Sequence, residues 1–210
     1  VTAADYVFTV LLLSSPEFAA LGANTTDYAH IVGQDEYLAG TTDMFAGVHL
    51  IDDTTFSLAI KAEYLPSFHE LMLVRVTPSP MFVIAPDCEI RDDGEGAYIA
   101  PAENTDGQFT KELLRTTLLD PETGYCSHPS VTCGAYKLVS YEDNVAVFEK
   151  NEYYRGNYER QKPRIDRITF KQVFNETLLD ELKNGTVDLV NKVSSADVID
   201  AAKDEKGVKS

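Results

Sequence analysis

The sequence has little positive charge and lacks any long apolar run. Its 34 acidic and 18 basic side chains give a net charge of −16, which argues against nucleic acid or an anionic membrane surface as a partner because both repel such a field. We interpret the acidity as a solvated surface, not as evidence for a cationic substrate. The longest apolar run, residues 7–13, is far shorter than the ~20 residues that a membrane-spanning helix needs.

Motifs that carry catalytic chemistry are also missing. The sequence contains no GxSxG elbow, no HExxH zinc motif, no CxxC pair, no Walker loop and no dinucleotide-binding glycine loop. Its four histidines are scattered, and with 34 carboxylates some acidic pairs arise by chance, so their number does not indicate paired-acid catalysis. We therefore predict no catalytic residue, no metal site, no cofactor and no enzyme activity.

Cysteine is scarce and odd in number. Cys88, Cys126 and Cys133 cannot form a complete disulfide framework. Three unpaired thiols are one interpretation, and a Cys126–Cys133 disulfide in an exported protein is the other. Zinc binding by Cys126, His128 and Cys133 is a weaker alternative, because CxxC-like spacing and a fourth ligand are both missing.

The start of the chain carries helix signals. Thr2 and Asp5 have the spacing of a capping box, and apolar residues follow at helical spacing. Ser15 and Pro16 then predict the N-cap and first position of a second helix, where the missing N–H of proline costs nothing.

A change to period-two alternation follows. Residues 48–60 alternate apolar and polar side chains on either side of the polar pair Asp52 and Asp53, which predicts a β-hairpin. Helices and a hairpin together indicate a smaller α+β portion over residues 1–85. The chain begins at Val1 without a signal-peptide pattern, which we interpret as a processed or excised segment.

An acidic, glycine-punctuated stretch follows at residues 86–106. We predict that it is a loop connecting two lobes. Calcium binding is the alternative, but the alternate acids and terminal glutamate of an EF-hand loop do not occur at the required spacing.

Residues 86–210 are predicted to form an α/β lobe. Two alternating segments separated by a polar turn occupy residues 136–149, and a further strand is predicted at 165–171. A leucine-bearing helix at 175–183 and the short apolar segment 187–190 follow it. Strand, helix and strand in this order predict a βαβ unit near 165–190, with parallel strands in a mixed sheet.

Five patches of the sequence are informative when they are taken together: residues 2–8, 52–58, 65–71, 133–154, and 165–170 with 182–189. They cover most of the chain, and in their residues and their order they resemble the bacterial extracellular solute-binding proteins of family 5, which include peptide-binding and nickel-binding members. Gly134-Ala135-Tyr136 stands where that family usually has Gly-Pro-Tyr, and Tyr154 stands where many members have Trp.

The resemblance implies a fold and a function. The fold would be a type II periplasmic-binding-protein-like lobe, α/β, with a mixed sheet and flanking helices. The function would be that of the substrate-binding component of an ABC importer, capturing an oligopeptide or similar small solute. Such a receptor would be a monomer acting with a membrane permease, either lipid-anchored on the extracellular face or in the periplasm. A ligand-sensing domain without a permease is the alternative.

The resemblance also suggests ligand-facing residues. It places the end of the helix near residue 73 and the segment after residue 189 beside the cleft, which nominates Arg75, Val190, Asn191 and Lys192. Family members are much longer than this chain, so the match covers an internal stretch of such a protein. We therefore expect the chain alone to bind peptide weakly or not at all.

Overall fold

A computed structural model describes residues 1–205 and Gly207. The chain divides into two compact units, Val1–Cys133 and Gly134–Ser210, here called the first and second units. The sequence suggested a division at residues 85 and 86 instead. The structure differs because the segments that follow residue 86 pack on the same core as the first helix.

Short helices and two hairpins make up the first unit. Its helices are α1 (Ala3–Ser14), α2 (Pro16–Ala19), α3 (Gln34–Leu38), α4 (Glu70–Leu73), α5 (Met81–Ile84) and α6 (Lys111–Thr117), with one 3₁₀ turn at Ala62–Tyr64. Its strands are β1 (Val48–Asp52), β2 (Thr55–Leu58), β3 (Cys88–Asp92) and β4 (Ala97–Pro101).

Helix α1 is the centre of the first unit. The backbone N–H of Thr2 donates to the Asp5 carboxylate at 2.9 Å, and the N–H of Phe18 donates to Ser15 Oγ at 3.1 Å at the start of α2. The predicted cap of α2 is thus confirmed. At α1 the Asp5 half of the capping box forms. Because α1 is apolar on nearly every side, it buries its whole circumference and not a single stripe.

Two clusters of buried side chains flank α1. The cluster on one side consists of Val7, Val10, Leu11, Tyr28, Ile31, Tyr37, Phe45, Val48 and Ala97. The cluster on the other side consists of Phe8, Leu12, Met81, Ile84, Ala85, Leu114 and Leu118. The first unit therefore has a closed apolar core with α1 in its middle.

Both hairpins of the first unit are antiparallel. The predicted β1–β2 hairpin is confirmed, with Asp52 accepting from the backbone N–H of Thr54 at 2.8 Å in the turn. The predicted connector loop at 86–106 is wrong in its central part, where β3 and β4 pair with Ile90 opposite Ile99. Acidic residues on the exposed side of this hairpin hide the apolar alternation that packs against the core.

The second unit is built around one antiparallel sheet. Its elements are β5 (Tyr136–Glu142), β6 (Val145–Lys150), β7 (Arg167–Lys171), α7 (Leu178–Lys183) and α8 (Ala196–Asp204), with strand order β5-β6-β7. The chain is an α/β protein, as predicted. Every strand pair among the described residues is nevertheless antiparallel, so the predicted mixed sheet is not formed by them.

The last strand of the predicted βαβ unit is also not formed. Residues 187–190 follow α7 without strand structure, and Leu189 is 82% exposed. The reason lies at the end of α7, where the backbone N–H groups of Thr186 and Val187 donate to the carbonyl of Glu181. Gly185, with φ +68°, permits this reversal, which turns the chain back onto the helix end.

Candidate functional site

Arg75 lies two residues after α4, in the first unit, with its side chain exposed. Its backbone carbonyl accepts a hydrogen bond from the phenol of Tyr28 at 3.5 Å. Nε2 of His30 contacts the carbonyl of Leu73 close by. Two ring side chains of one loop therefore hold the backbone of this segment, while the guanidinium extends away from the core.

The sequence alone did not identify Tyr28 and His30 as residues that position the segment carrying Arg75. Tyr28 is buried, and only its hydroxyl reaches the segment that carries Arg75. Nothing in the sequence indicates that a loop near residue 30 contacts a segment more than forty residues later. Only the tertiary fold brings these residues together.

The second predicted segment, Val190 to Lys192, lies in the second unit between α7 and α8. Val190 is half-buried, whereas Asn191 and Lys192 are exposed. Lys192 has a left-handed backbone conformation, with φ +60°, which is uncommon for a residue other than glycine. Arg75 and this segment belong to different compact units.

An apolar groove of about 620 Å³ borders Val190. Its walls come from α7, from the segment after it and from α8, and they include Leu178, Leu182, Leu189 and Val198. Leu178 is the well-buried member, at 3% exposed, whereas Leu189 is largely in solvent. The groove offers shape and apolar surface, and the described residues that line it include no nucleophile or acid–base pair.

An ion pair fixes α7 to the sheet. Lys171 on β7 donates to the carboxylate of Glu181 on α7 at 2.5 Å. The hydrogen bond from Lys171, together with its charge and a hydrogen bond from Thr177, lowers the pKa of Glu181 despite some opposing desolvation. This contact sets the position of the helix that precedes Val190.

Metal binding finds no support in the described part of the chain. No group of three or more His, Cys, Asp or Glu side chains there has a geometry that could hold an ion. Cys126 is unpaired, burial raises the pKa of its thiol, and His128 bonds the carbonyl of Pro121 at 3.0 Å. The zinc alternative at Cys126, His128 and Cys133 therefore has no structural basis.

One carboxylate of the β3–β4 hairpin has a structural role. Asp92 Oδ2 accepts from the backbone N–H of Leu50 at 2.9 Å and contacts Nδ1 of His49 at 3.0 Å. Desolvation raises the pKa of Asp92, but hydrogen bonds from the backbone N–H groups of Gly94 and Leu50 and from His49 outweigh it, so the pKa is lowered. Asp92 thus ties β3 to β1 as an anion.

A family model for bacterial extracellular solute-binding proteins, family 5 Middle, matches residues 1–210. The chain belongs to this family. Two relatives are both named periplasmic oligopeptide-binding protein OppA. The protein from Salmonella typhimurium is 28% identical over 194 residues, which is 90% of this chain and 29% of that protein. The protein from Escherichia coli K12 is 28% identical over 210 residues, covering 98% of this chain and 32% of that protein.

A solved structure of lactococcal OppA, complexed with an endogenous peptide in the closed conformation, has the same fold. It superimposes with a TM-score of 0.65 over 99% of this chain and 33% of that chain, at 21% sequence identity. The chain thus spans about a third of the length of the family-5 proteins that it matches. Among the described residues, no helix is long and apolar enough to cross a membrane.

The family-5 signature at residues 134–136 has a structural role in the second unit. The amide of Asn151 donates to the carbonyl of Gly134 at 2.9 Å, and its backbone N–H donates to the carbonyl of Ala135 at 2.9 Å. The phenol of Tyr136 donates to the carbonyl of Ile165 at 2.9 Å. The signature therefore closes the open end of the β5–β6 hairpin.

Proposed function

We propose that the chain is part of the substrate-binding component of an ABC importer, one that captures oligopeptides outside the cytoplasmic membrane and is not an enzyme. The observation that carries this proposal is the family match across residues 1–210. Two relatives named periplasmic oligopeptide-binding protein support the choice of ligand class. The parent protein would act as a monomer, in the periplasm or anchored by lipid at the outer face of the membrane.

Arg75, Val190, Asn191 and Lys192 are the proposed ligand-facing residues. The side chains of Arg75, Asn191 and Lys192 are exposed and have no hydrogen bond or ion pair to another described residue. Cations and an amide are suited to the carboxylate and carbonyl oxygens of a peptide backbone. Val190 would fix the backbone conformation of its segment, because its side chain lines the apolar groove.

The direct test is titration calorimetry of tripeptides and tetrapeptides against the longer polypeptide that contains this chain. We expect Arg75→Ala and Lys192→Ala to weaken binding by roughly tenfold each, the size of a hydrogen bond to a charged group. Arg155→Ala and Lys162→Ala are the matched controls, since both side chains are exposed and distant in sequence from the proposed segments. Equal affinity in all four variants would refute the site assignment.

Two further measurements test the receptor role. Mass spectrometry of the peptide after incubation should return it intact, whereas cleavage products would revive an enzymatic role. A strain that lacks the gene should lose uptake of a labelled oligopeptide and recover it from a plasmid copy. Normal uptake in the deletion strain, with tight peptide binding retained in vitro, would favour a sensing role instead.

A further inference from the structure

A second cavity, of about 610 Å³, opens within the first unit. Its lining includes Glu17 on α2, Tyr37 on α3, Asp43 in the loop that follows, Tyr98 on β4 and Phe109 just before α6. None of the proposed ligand-facing residues contributes to it. Its volume is in the range of sites that hold small organic molecules.

Tyr37 is the unusual group in this cavity. Its side chain is only 6% exposed and its ring stacks on Phe45 with centroids 5.1 Å apart. Its hydroxyl makes no hydrogen bond to any residue within the described ranges. Buried phenols usually find a hydrogen-bond partner, so a phenol without one in the lining of a cavity suggests a partner that enters from outside.

Two carboxylates, those of Glu17 and Asp43, line the same cavity as that phenol. Burial raises the pKa of Tyr37, and the negative charges of Glu17 and Asp43 raise it further. Neither carboxylate forms an ion pair with a described residue. The phenol stays protonated at neutral pH and offers its oxygen lone pairs as an acceptor.

Among the described residues that line the cavity, Arg91 is the one with a cationic side chain. Its Nε donates to Glu89 at 2.7 Å, and its Nη2 donates to the carbonyl of Pro101 at 3.2 Å. Glu89 therefore neutralises Arg91, and the charges of Glu17 and Asp43 remain uncompensated. The cavity as a whole favours a positively charged occupant.

The chemistry of the lining selects an organic cation over a metal ion. No third carboxylate, histidine or cysteine joins Glu17 and Asp43 in a metal-binding geometry within the described residues. The rings of Tyr98 and Phe109 supply aromatic faces, which attract alkylammonium groups through cation–π contacts. We propose that this cavity binds an organic ammonium group. Glu17 and Asp43 act as its counter-ions, and the Tyr37 hydroxyl accepts a hydrogen bond from one of its N–H groups.

An NMR titration of the 210-residue chain tests the proposal with butylammonium chloride as the probe and 1-butanol as its uncharged counterpart. The ring resonances of Tyr37 and Phe109 should shift saturably with the amine and not with the alcohol. Equal shifts with both probes would show an apolar cavity without charge selection and would overturn the proposal. Absence of a saturable shift with the amine would overturn it as well.

Variants then assign the roles. The double variant Glu17→Gln/Asp43→Asn should weaken amine binding by at least roughly tenfold, and Tyr37→Phe, which keeps the ring on Phe45, should weaken it several-fold. Glu122→Gln removes one exposed charge outside the cavity and is the control. If Glu122→Gln weakened amine binding as much as the cavity variants do, the effect would come from the overall charge of the protein. That result would contradict the assignment of the binding site.

A second pair of probes tests whether the ammonium group can come from a lysine side chain. Nα-acetyl-Gly-Lys-Gly and its Nε-acetylated form test whether a lysine side chain supplies the ammonium group, because only the first of these N-terminally blocked peptides carries an ammonium group. Binding of both peptides at the cavity would exclude recognition of the lysine ammonium. The cavity proposal is independent of the receptor proposal, since its variants lie outside the residues assigned to peptide binding.

Discussion

The two units of this chain are held together in different ways. In the first unit, side chains such as Phe8, Leu11 and Phe45 are fully buried on both sides of α1. In the second unit, Leu178 is the buried apolar side chain within the described residues, and aromatic residues such as Tyr153 and Tyr158 are more than four-fifths exposed. The first unit therefore rests on apolar burial, the dominant favourable term in folding.

The second unit relies more on polar contacts. Its sheet is bordered by the hydrogen bonds of Asn151 and by the Lys171–Glu181 and Lys150–Asp166 ion pairs. Exposed ion pairs contribute little to stability, typically about 0–1 kcal/mol each. The family match covers both units, although the clusters of buried side chains among the described residues lie in the first unit.

The largest expected effect comes from matched leucine truncations in the two units. Leu11→Ala should lower the free energy of unfolding by about 2–5 kcal/mol, because it leaves a cavity beside fully buried neighbours. Leu189→Ala, at a side chain that is 82% exposed, should change it by less than about 0.5 kcal/mol. Urea denaturation followed by circular dichroism measures both. Similar costs at the two positions would contradict the comparison.

A glycine pair tests how tightly the first unit is packed. Gly96 has φ +144°, and a Cβ there would meet the carbonyl oxygen of Phe45 at 2.6 Å. Gly94 has φ +101° with no atom within 4 Å of the added Cβ. Gly94→Ala should cost about 1–3 kcal/mol of backbone strain alone, and Gly96→Ala should cost more because of the added clash. Equal losses in thermal denaturation would show that the backbone approach at Phe45 relaxes easily.

In the second unit, the buried amide of Asn151 should matter most. Asn151→Ala removes its bond to the Gly134 carbonyl and should cost about 1–3 kcal/mol, the range for a buried polar group that loses its partner. The loss should appear in amide hydrogen exchange of β5 and β6 and not in that of α1. Asn191→Ala, at an exposed side chain, is the control and should leave exchange unchanged.

The smallest expected effect is on acid sensitivity. The folded-state pKa of Asp92 is lowered from its ordinary value of 3.8, so its stabilisation is complete above that value and is lost as the pH falls through the lower folded-state pKa. Asp92→Asn should therefore flatten the loss of stability as the pH falls below 3.8. Glu181→Gln should flatten it less, because the Lys171–Glu181 pair is more exposed to solvent. Parallel acid profiles for wild type and Asp92→Asn would contradict the assigned role of Asp92.

Local features of the fold follow from the sequence because they depend on residues close together in the chain. The caps at Thr2 and Ser15, the hairpin turn at Asp52 and the end of α7 near Gly185 each rest on interactions within a few residues. The family resemblance also came from short ordered patches, and the match over residues 1–210 confirms it. The ligand-facing assignment of Arg75, Val190, Asn191 and Lys192 stays a prediction.

Long-range features were decided only by the tertiary structure. The β3–β4 hairpin forms because Ile90 and Ile99 pack on the core around α1, which acidic composition alone does not reveal. The segment at 187–190 stays irregular because its first amides bond the end of α7. The Tyr37 cavity joins side chains from five separate segments. Local patterns thus determined helices, turns and family, whereas packing between distant segments determined the hairpin and both cavities.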